Sequence, residues 1–458
     1  MPLRIETSVS RDRRRKRESD PLSLERGVRQ LLADKVSGNL AGIWLLVAEH
    51  LRLGTWDLLC GWTGKPTACV EPRLALQLVH EAAVCTRGIR AERTLHERAG
   101  FELANGLPFV ATDVAIHDML QELTVARALS LQVALGKVRL ASGHFQGKLL
   151  AIDPHRVLSY SKRQFRKRVE KKDRRPNKQA QTFWVLDANT HQPVCFTTGT
   201  ASRNVAAATP ELMDLVEQIL QPARGQTLVV ADSEHFSGEL ISDIHRRTGL
   251  DLLVPLPSNK TYRTAFRALP DERFVRRWAG YATAKLPFEL KHRHPGKYYQ
   301  FVERFGENPE DWSYKGFLST SDREEVDALA RDFPKRWHVE EFFNAHQALG
   351  WNRAGTMNLN IRYGQMTMAL IAQTVIHQLR ERLATPYCMW DANHLAADLF
   401  HALEGDVRVT DDTIVVTYYN APDALRQHYE DLPEKLAAEN VSPKVPWLYD
   451  YALDFRFR

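Results

Sequence analysis

Apolar residues recur at every third or fourth position through the first third of the chain. This spacing predicts amphipathic helices in SLERGVRQLLADKV from Ser23, EPRLALQLVHEAAVCTRGI from Glu71 and DVAIHDMLQELTVARALSLQVAL from Asp113. Short stretches that contain Gly or Pro separate them. Several short helices in succession suit a bundle with helix-turn-helix character, and a plain helical bundle fits the pattern equally well.

From Gly147 onward, short apolar runs predict strands instead. QTFWVLDANTHQPVCFTTGT predicts two strands joined by a turn at Asp187 to His191, and LDLLVPL predicts a further strand. TPELMDLVEQIL predicts a helix with Thr209 as its N-cap and Pro210 as its first residue, and FSGELISDIHRRTG predicts another helix. This alternation of strands and helices indicates an α/β layout with a mixed sheet.

The region 256–325 interrupts that alternation with basic and aromatic residues in strand-like order. It predicts a β-rich insertion that carries many basic and aromatic residues; examples are Arg276, Arg277, Trp278, Tyr298 and Tyr299. The pattern is helical again from Glu324 to Leu383. DVRVTDDTIVVTYYNAP then predicts a hairpin, and the chain ends in the extended, aromatic VPWLYDYALDFRFR.

Composition is that of an ordinary globular protein, with 44% hydrophobic and 26% charged residues and a net charge of +6. Without a membrane-spanning apolar stretch or a signal-peptide core, the sequence predicts a cytoplasmic protein. The five cysteines form no Cys-x-x-Cys pair, which favours unpaired thiols over zinc or disulfides. The run RDRRRKR, from Arg11 to Arg17, predicts a mobile basic tail that either solubilises the chain or binds phosphate.

Two aspartates end apolar runs: GKLLAID ends at Asp153 and TLVVAD at Asp232. If the two runs are neighbouring strands, these carboxylates meet at the edge where α/β proteins bind ligands, and a divalent cation would relieve their repulsion. Oxygen ligands favour Mg²⁺ or Mn²⁺. Either residue alone is more simply a cap or turn residue, as Asp187 is expected to be. Surface or capping roles are expected for Glu234 and His235.

The stretch FPKRWHVEEFFNAHQ, residues 333–347, combines carboxylates with large apolar side chains. Read as a helix, it has an apolar stripe that would pack on the sheet, formed by Val339, Phe342, Phe343, His346 and Leu349. Glu340 lies at the edge of this stripe, one turn after Arg336, where a third metal ligand would lie beside the two aspartates. An ordinary Arg336–Glu340 helix pair explains the spacing slightly better when spacing alone is considered.

The same stretch resembles the Glu-containing signature of bacterial insertion-sequence DDE transposases, Tyr-x2-Arg-x3-Glu-x6-Lys. Arg336 and Glu340 match, whereas Phe333 replaces the Tyr and Gln347 replaces the Lys. Phe has no hydroxyl and Gln has no charge, so these two positions depart from the pattern. The resemblance covers nearly the whole chain, since it extends to the insertion before Glu340 and to the segments GFELANGLPFVATDVAIHD, TFWVLDANTHQPVCF, TLVVADSEHFS and LYDYALDFRFR.

This resemblance implies an α/β fold: an RNase H-like mixed sheet with flanking helices, interrupted by the β-rich insertion and preceded by a helical DNA-binding domain. The expected organisation has six parts, which are a basic tail (1–25), a helical domain that binds DNA ends (26–145), the first part of the catalytic core (146–255), the insertion (256–325), the second part of the core (326–400) and a C-terminal hairpin with an extended tail (401–458).

The resemblance also implies a metal-binding catalytic triad of Asp153, Asp232 and Glu340, which would hold two Mg²⁺ or Mn²⁺ ions. Arg336 would contact DNA, and Phe333, Asn344 and Gln347 are further candidates for DNA contact. A dense basic run after Asp153 reads as a solvated loop by itself, but beside a phosphate-cutting site it favours DNA contact. The candidate DNA-contact residues of this run are Lys162, Arg163, Arg166, Lys167, Arg168, Lys171 and Lys172. The basic and aromatic residues of the insertion would stack on an unpaired DNA end, and stabilising the insertion itself is an equally good reason for the aromatic ones.

The implied activity is that of a transposase, which cuts DNA at the ends of its insertion sequence and joins them to target DNA. Its partners would be double-stranded DNA, at the terminal inverted repeats and the target, and a second copy in a homodimer. No membrane and no small-molecule cofactor are expected, and the bacterial, cytoplasmic protein would associate with the nucleoid when bound. Two alternatives stay open: an RNase H-like nuclease that only hydrolyses DNA, and a catalytically silent DNA-binding protein derived from a transposase.

Overall fold

The computed structural model describes residues 20–86, 95, 100–161, 167–168, 177–200, 203–247, 249–290, 296–351, 355–356 and 358–458. The chain divides into two compact units. The first unit comprises residues 1–135, 345–353 and 358–458, and the second comprises residues 136–344 and 354–357. Within the described ranges, no helix is both long enough and apolar enough to cross a lipid bilayer.

The helices alternate with strands only in the middle of the chain. The helices are α1 (Pro21–Ala33), α2 (Ile43–Leu53), α3 (Thr55–Thr63), α4 (Glu71–Ala83), α5 (Phe101–Ala104), α6 (Asp113–Glu122), α7 (Val125–Ala141), α8 (Val205–Leu220), α9 (Gly238–Arg246), α10 (Lys260–Arg267), α11 (Glu325–Asp327), α12 (His338–His346), α13 (Leu359–Leu383), α14 (Ala392–Leu395), α15 (Asp423–Tyr429) and α16 (Leu432–Ala438). The strands are β1 (Val36–Asn39), β2 (Leu149–Leu158), β3 (Lys167–Arg168), β4 (Asn177–Asp187), β5 (Gln192–Thr200), β6 (Thr227–Ala231), β7 (Leu250–Pro255), β8 (Val275–Trp278), β9 (Tyr281–Phe288), β10 (Tyr298–Phe305), β11 (Ser313–Ser319), β12 (Glu404–Thr410), β13 (Thr413–Tyr418), β14 (Lys444–Val445) and β15 (Tyr451–Phe457).

The second unit is built on a mixed sheet in which five strands follow the order β5-β4-β2-β6-β7. Strand β4 runs antiparallel to both of its neighbours, β5 and β2, whereas β6 runs parallel to both β2 and β7. All five residues of β6 are buried, as expected for a central strand covered on both faces. This arrangement, with α8 and α9 packed on the sheet, confirms the expected RNase H-like mixed sheet.

Helix α8 begins five residues earlier than the sequence predicted, so the assignment of Thr209 as N-cap and Pro210 as first residue is wrong. The N-cap is Asn204, whose side-chain oxygen accepts a hydrogen bond from the backbone N–H of Ala207 at 2.8 Å. Thr209 lies inside the helix, and its hydroxyl donates to the carbonyl of Val205 at 2.8 Å. Asn and Thr both cap helices well, so local sequence did not distinguish the two starts.

The insertion is β-rich, as the sequence predicted, although it opens with helix α10. Strand β11 pairs antiparallel with β7, and the order continues through β10 and β9 to β8. The insertion therefore extends the same sheet instead of forming a separate one. Its register pairs Glu303 of β10 directly with Lys315 of β11.

The first unit combines helices with a five-stranded sheet of order β1-β12-β13-β15-β14. The predicted C-terminal hairpin is β12–β13, and its turn residues Asp411 and Asp412 have φ values of 47° and 57°, which suit a tight two-residue turn. Helix α1 starts at Pro21 with Asp20 as N-cap, so residues 21–25, expected in the tail, are helical. The basic run from Arg11 to Arg17 lies outside the described residues. DNA binding by the helices of this unit stays a prediction.

Candidate active site

Asp153 lies inside strand β2, at the point where pairing with β6 stops. The last registered pair of the two parallel strands is Ile152 with Ala231, and Asp153 faces Trp184 of β4. The expectation that Asp153 ends its strand is wrong, because antiparallel pairing with β4 continues β2 to Leu158. The position nevertheless puts the carboxylate beside the end of β6.

Asp232 follows β6 directly and caps the short helical turn Ser233–His235. Its Oδ1 accepts a hydrogen bond from the backbone N–H of Glu234 at 3.0 Å. Each aspartate thus follows the last registered pair of two neighbouring parallel strands. The sequence expectation that the two carboxylates meet at one edge of the sheet agrees with this register.

Glu340 lies in the first turn of α12, and Arg336 lies in the helical turn Phe333–Trp337 just before it. Nη2 of Arg336 is 3.5 Å from Oε1 of Glu340, and its Nη1 is 3.8 Å from Oδ1 of Asp153. The Arg336–Glu340 helix pair, which spacing alone slightly favoured, is therefore present. The same guanidinium also lies close to Asp153 on β2. Arg336 links the helix to the sheet edge.

Helix α12 is held on the sheet by the apolar stripe that the sequence indicated. Val339 is fully buried, and the rings of Phe342 and Phe343 contact Trp184 of β4 with centroids 5.8 and 6.4 Å apart. At the start of the helix, Nδ1 of His338 lies 2.7 Å from the carbonyl oxygen of Ala188, just after β4. These contacts hold the helix that carries Glu340 on the sheet.

The environments of the two aspartates move their pKa values in opposite directions. Burial raises the pKa of Asp153 to about 7, with further increases from the charges of Asp232 and Glu340 that Arg336 only partly opposes. Burial also acts to raise the pKa of Asp232, but the hydrogen bonds from His235 and Glu234 outweigh it and hold that pKa below its ordinary value. A divalent cation would favour the ionised form of Asp153, whose pKa is raised first by burial and then by the neighbouring carboxylates.

The donor set fits Mg²⁺ or Mn²⁺, because all three candidate ligands are carboxylates and two of them lie at one strand edge. In this structure the guanidinium of Arg336 supplies the positive charge between Asp153 and Glu340. Among the described residues, no three His, Cys, Asp or Glu side chains are grouped closely enough to hold one ion.

Other residues named from the sequence are divided between the two units. Phe333 lies in the second unit, where its ring packs edge-on against Phe317 with centroids 4.7 Å apart. Asn344 is exposed on α12. Gln347 belongs to the first unit and begins the short turn Gln347–Leu349. DNA contact by each of the three stays a prediction.

Most of the basic run lies outside the described residues. Lys167 is exposed on β3, which pairs with β4, and Arg168 is described by its backbone alone. The other candidate residues of the run lie outside the described ranges: Lys162, Arg163, Arg166, Lys171 and Lys172. The proposed DNA contacts of this run stay a prediction.

Asp187, which the sequence assigned to a turn, does have a structural role. Its buried carboxylate accepts four backbone N–H hydrogen bonds at 2.7–3.1 Å, from Gln146, Gly147, Asn189 and Thr190.

In the insertion, Trp278 is exposed and stacks on Tyr281 at 4.2 Å, whereas Tyr298 is buried. Tyr298 is therefore a core residue and does not offer a stacking surface.

The sequence analysis did not assign a role in the site to two residues that lie near it. His235 was expected at the surface or in a cap, but it is 1% exposed and its Nδ1 lies 2.8 Å from Oδ1 of Asp232. The sequence feature that could have identified His235 is its position three residues after an aspartate that follows a strand. Lys315 lies on β11 with its Nζ 5.0 Å from the centre of the Phe333 ring. No local pattern links it to a segment eighteen positions later.

Comparison with known proteins bears on this site. The model of the transposase DDE domain family matches residues 144–375, just over half of the chain, and that range contains both aspartates, Arg336 and Glu340. The chain therefore belongs to the transposase DDE domain family. No curated protein sequence matches it significantly. A solved structure described as a piggyBac transposase synaptic complex with hairpin DNA is similar, with a TM-score of 0.44 and 12% identity over 78% of this chain and 79% of that chain.

Proposed function

We propose that this protein is a DNA transposase that cuts at the ends of its insertion sequence and joins those ends to target DNA. The observation that supports the proposal is the position of Arg336, whose guanidinium lies 3.8 Å from Asp153 and 3.5 Å from Glu340, with Asp232 at the end of the neighbouring strand β6, in a member of the transposase DDE domain family. Buried titratable groups with a strongly shifted pKa, such as Asp153, are often found at functional sites.

The three carboxylates would act as the ligands of two Mg²⁺ or Mn²⁺ ions. When bound, such ions activate a water or a 3′-hydroxyl and stabilise the leaving oxygen in phosphoryl transfer. His235 and the N–H of Glu234 keep Asp232 ionised and oriented. Arg336, whose planar guanidinium suits bidentate contact with phosphate, would bind the DNA backbone next to the scissile bond.

Double-stranded DNA is the proposed partner, through the terminal repeats and the target. The net charge of +6 and the basic run that follows β2 support binding to a polyanion. A homodimer is proposed for the active complex, because joining two element ends requires that both be held at once. The reaction would take place in the cytoplasm of a bacterial cell, on DNA of the nucleoid.

The test is cleavage of labelled duplexes that tile the DNA flanking the coding sequence, in Mg²⁺ or EDTA. Wild type is compared with Glu340→Gln, which keeps the side-chain shape and removes the charge. Glu341→Gln is the matched control, because Glu341 is the next residue on α12 and its side chain is 56% exposed.

We expect wild type and Glu341→Gln to cut in Mg²⁺, and Glu340→Gln to bind DNA equally well without cutting. Joined products would distinguish a transposase from a nuclease that only hydrolyses DNA. Equal cutting by Glu340→Gln would make Glu340 a structural residue and overturn this active site. If wild type binds DNA but does not cut it in Mg²⁺, the result would indicate a catalytically silent DNA-binding protein.

A further inference from the structure

Lys315 brings a positive charge from the insertion to the segment that carries Arg336. Its Nζ lies 5.0 Å from the ring centre of Phe333 and 4.8 Å from that of Phe317. Phe333 in turn begins the helical turn that ends at Trp337 and contains Arg336. The edge-on contact between Phe317 and Phe333 fixes the two aromatic rings against each other. The ammonium is thereby held beside the catalytic segment although it belongs to a different element.

The charge of Lys315 is not neutralised by an ion pair within the described part of the chain. Its cross-strand neighbour Glu303 is buried and accepts a hydrogen bond from the hydroxyl of Tyr281 at 2.8 Å. Burial lowers the pKa of Lys315; the charge of Glu303 opposes this effect and the charge of Arg336 adds to it. Two cations that repel each other, one of them reaching solvent, form an arrangement that an anion stabilises.

Lys285 shows what a structurally paired lysine of the insertion looks like. It also lies over an aromatic ring, that of Tyr299 at 5.4 Å, but it forms an ion pair with Asp322 and donates to the carbonyl of Arg323. Lys315 also lies over aromatic rings, but among the described residues no carboxylate forms an ion pair with it. The contrast indicates that Lys315 is oriented for a ligand outside the chain.

We propose that Lys315 binds a phosphate of the DNA substrate together with Arg336, which makes the insertion part of the DNA-binding site. The proposal rests on the proposed transposase function.

The experiment compares Lys315→Met, which keeps an unbranched apolar stem, with Lys315→Arg and with the control Lys285→Met. Dissociation constants for the cleavable duplex are measured against KCl concentration. We expect Lys315→Met to reduce the slope of log K against log salt by about 0.9, the value for one phosphate contact. Lys315→Arg should retain the wild-type slope, and Lys285→Met should not change it.

A second measurement identifies the phosphate. Single methylphosphonates, which are uncharged, are placed in turn around the cleavage position of the duplex. We expect one methylphosphonate to weaken binding by wild type but not by Lys315→Met. The variant already lacks the ammonium that pairs with this phosphate, so removing the phosphate charge has no further effect on it. A purely structural lysine would lower the melting temperature of the variant without changing this profile.

The outcomes separate the two proposals. If wild type cuts DNA while Lys315→Met keeps the wild-type salt slope and methylphosphonate profile, the phosphate contact is wrong and the transposase proposal stands. If wild type neither binds nor cuts DNA, the transposase proposal fails and the Lys315 contact fails with it. A changed slope in Lys285→Met as well would show a general charge effect and overturn the specific contact.

Discussion

The imidazole of His235 is buried, and its Nδ1 lies 2.8 Å from Oδ1 of Asp232. Because the carboxylate can only accept while it is ionised, Nδ1 must carry the proton in this contact. This contact fixes the tautomer of His235 and the orientation of Asp232, and the family signature does not contain His235. Partners that orient a metal-ligating side chain in this way typically affect metal affinity or activity 10–100-fold.

Substitution of His235 should therefore act through Asp232. His235→Asn can retain a donor near the Nδ1 position, whereas the amide of His235→Gln lies closer to the Nε2 position. We expect His235→Gln to raise the Mg²⁺ concentration needed for half-maximal cleavage by about 10-fold or more, and His235→Asn to have a smaller effect. The measurement is a Mg²⁺ titration of cleavage. Equal shifts in both variants, matched by equal losses of melting temperature, would indicate a packing role only.

Asp153 should make the metal-free protein less stable as the pH rises. Its pKa is raised to about 7 in the folded state, so between the ordinary aspartate value and pH 7 the unfolded chain loses a proton that the folded chain retains. The free energy of unfolding then falls through that window, by roughly 4 kcal/mol at most.

The check is urea denaturation in EDTA at pH 4.5 and pH 8. Asp153→Asn cannot ionise, so we expect its stability relative to wild type to be greater at pH 8 than at pH 4.5. Mg²⁺ should reduce the advantage at pH 8, because the ion favours the ionised carboxylate. A variant that differs from wild type equally at both pH values would contradict the raised pKa.

Arg336 should contribute most to stability when no metal is present, because it separates carboxylates that otherwise repel. We expect Arg336→Met to lose about 2 kcal/mol of unfolding free energy in EDTA and less in Mg²⁺. Arg331→Met is the control, since Arg331 lies earlier in the same helical segment, is 64% exposed and pairs with Asp327 and Asp332. The two variants are compared by urea denaturation. Equal losses of unfolding free energy in EDTA and in Mg²⁺ would show that Arg336 does not act at the proposed metal site.

The apolar stripe of α12 should anchor Glu340 on the sheet. Phe342 is 3% exposed and packs on Trp184, so Phe342→Ala should cost about 3–5 kcal/mol of unfolding free energy. Trp337 is 56% exposed, and Trp337→Ala should stay within about 0.5 kcal/mol of wild type. Chemical denaturation of both variants tests the difference. A small loss for Phe342→Ala would mean that other contacts, such as that of His338, hold the helix.

The sequence determined the local elements well where periodicity and caps agree. The strands β4 to β7, the insertion and the C-terminal hairpin all follow from alternation and turn residues. It failed at α8, where Asn204 and Thr209 were equivalent as caps, and at Asp153, where a strand that changes partner continues past its apolar run. Pairing with β4 decided that strand end, and pairing is not a local property.

The candidate site divides in the same way. Sequence alone identified Asp153 and Asp232, because buried charge after an apolar run is costly without a partner. Glu340 was identified by the resemblance of its segment to the transposase signature, since its spacing alone slightly favoured an ordinary helix pair. Only the tertiary structure decided that Arg336 reaches from the helical turn before α12 to β2, that His235 is buried against Asp232, and that Lys315 lies over Phe333. Helical and strand periodicities report which face of an element is apolar. Contacts between elements far apart in the chain depend on how those faces pack, which the local pattern does not encode.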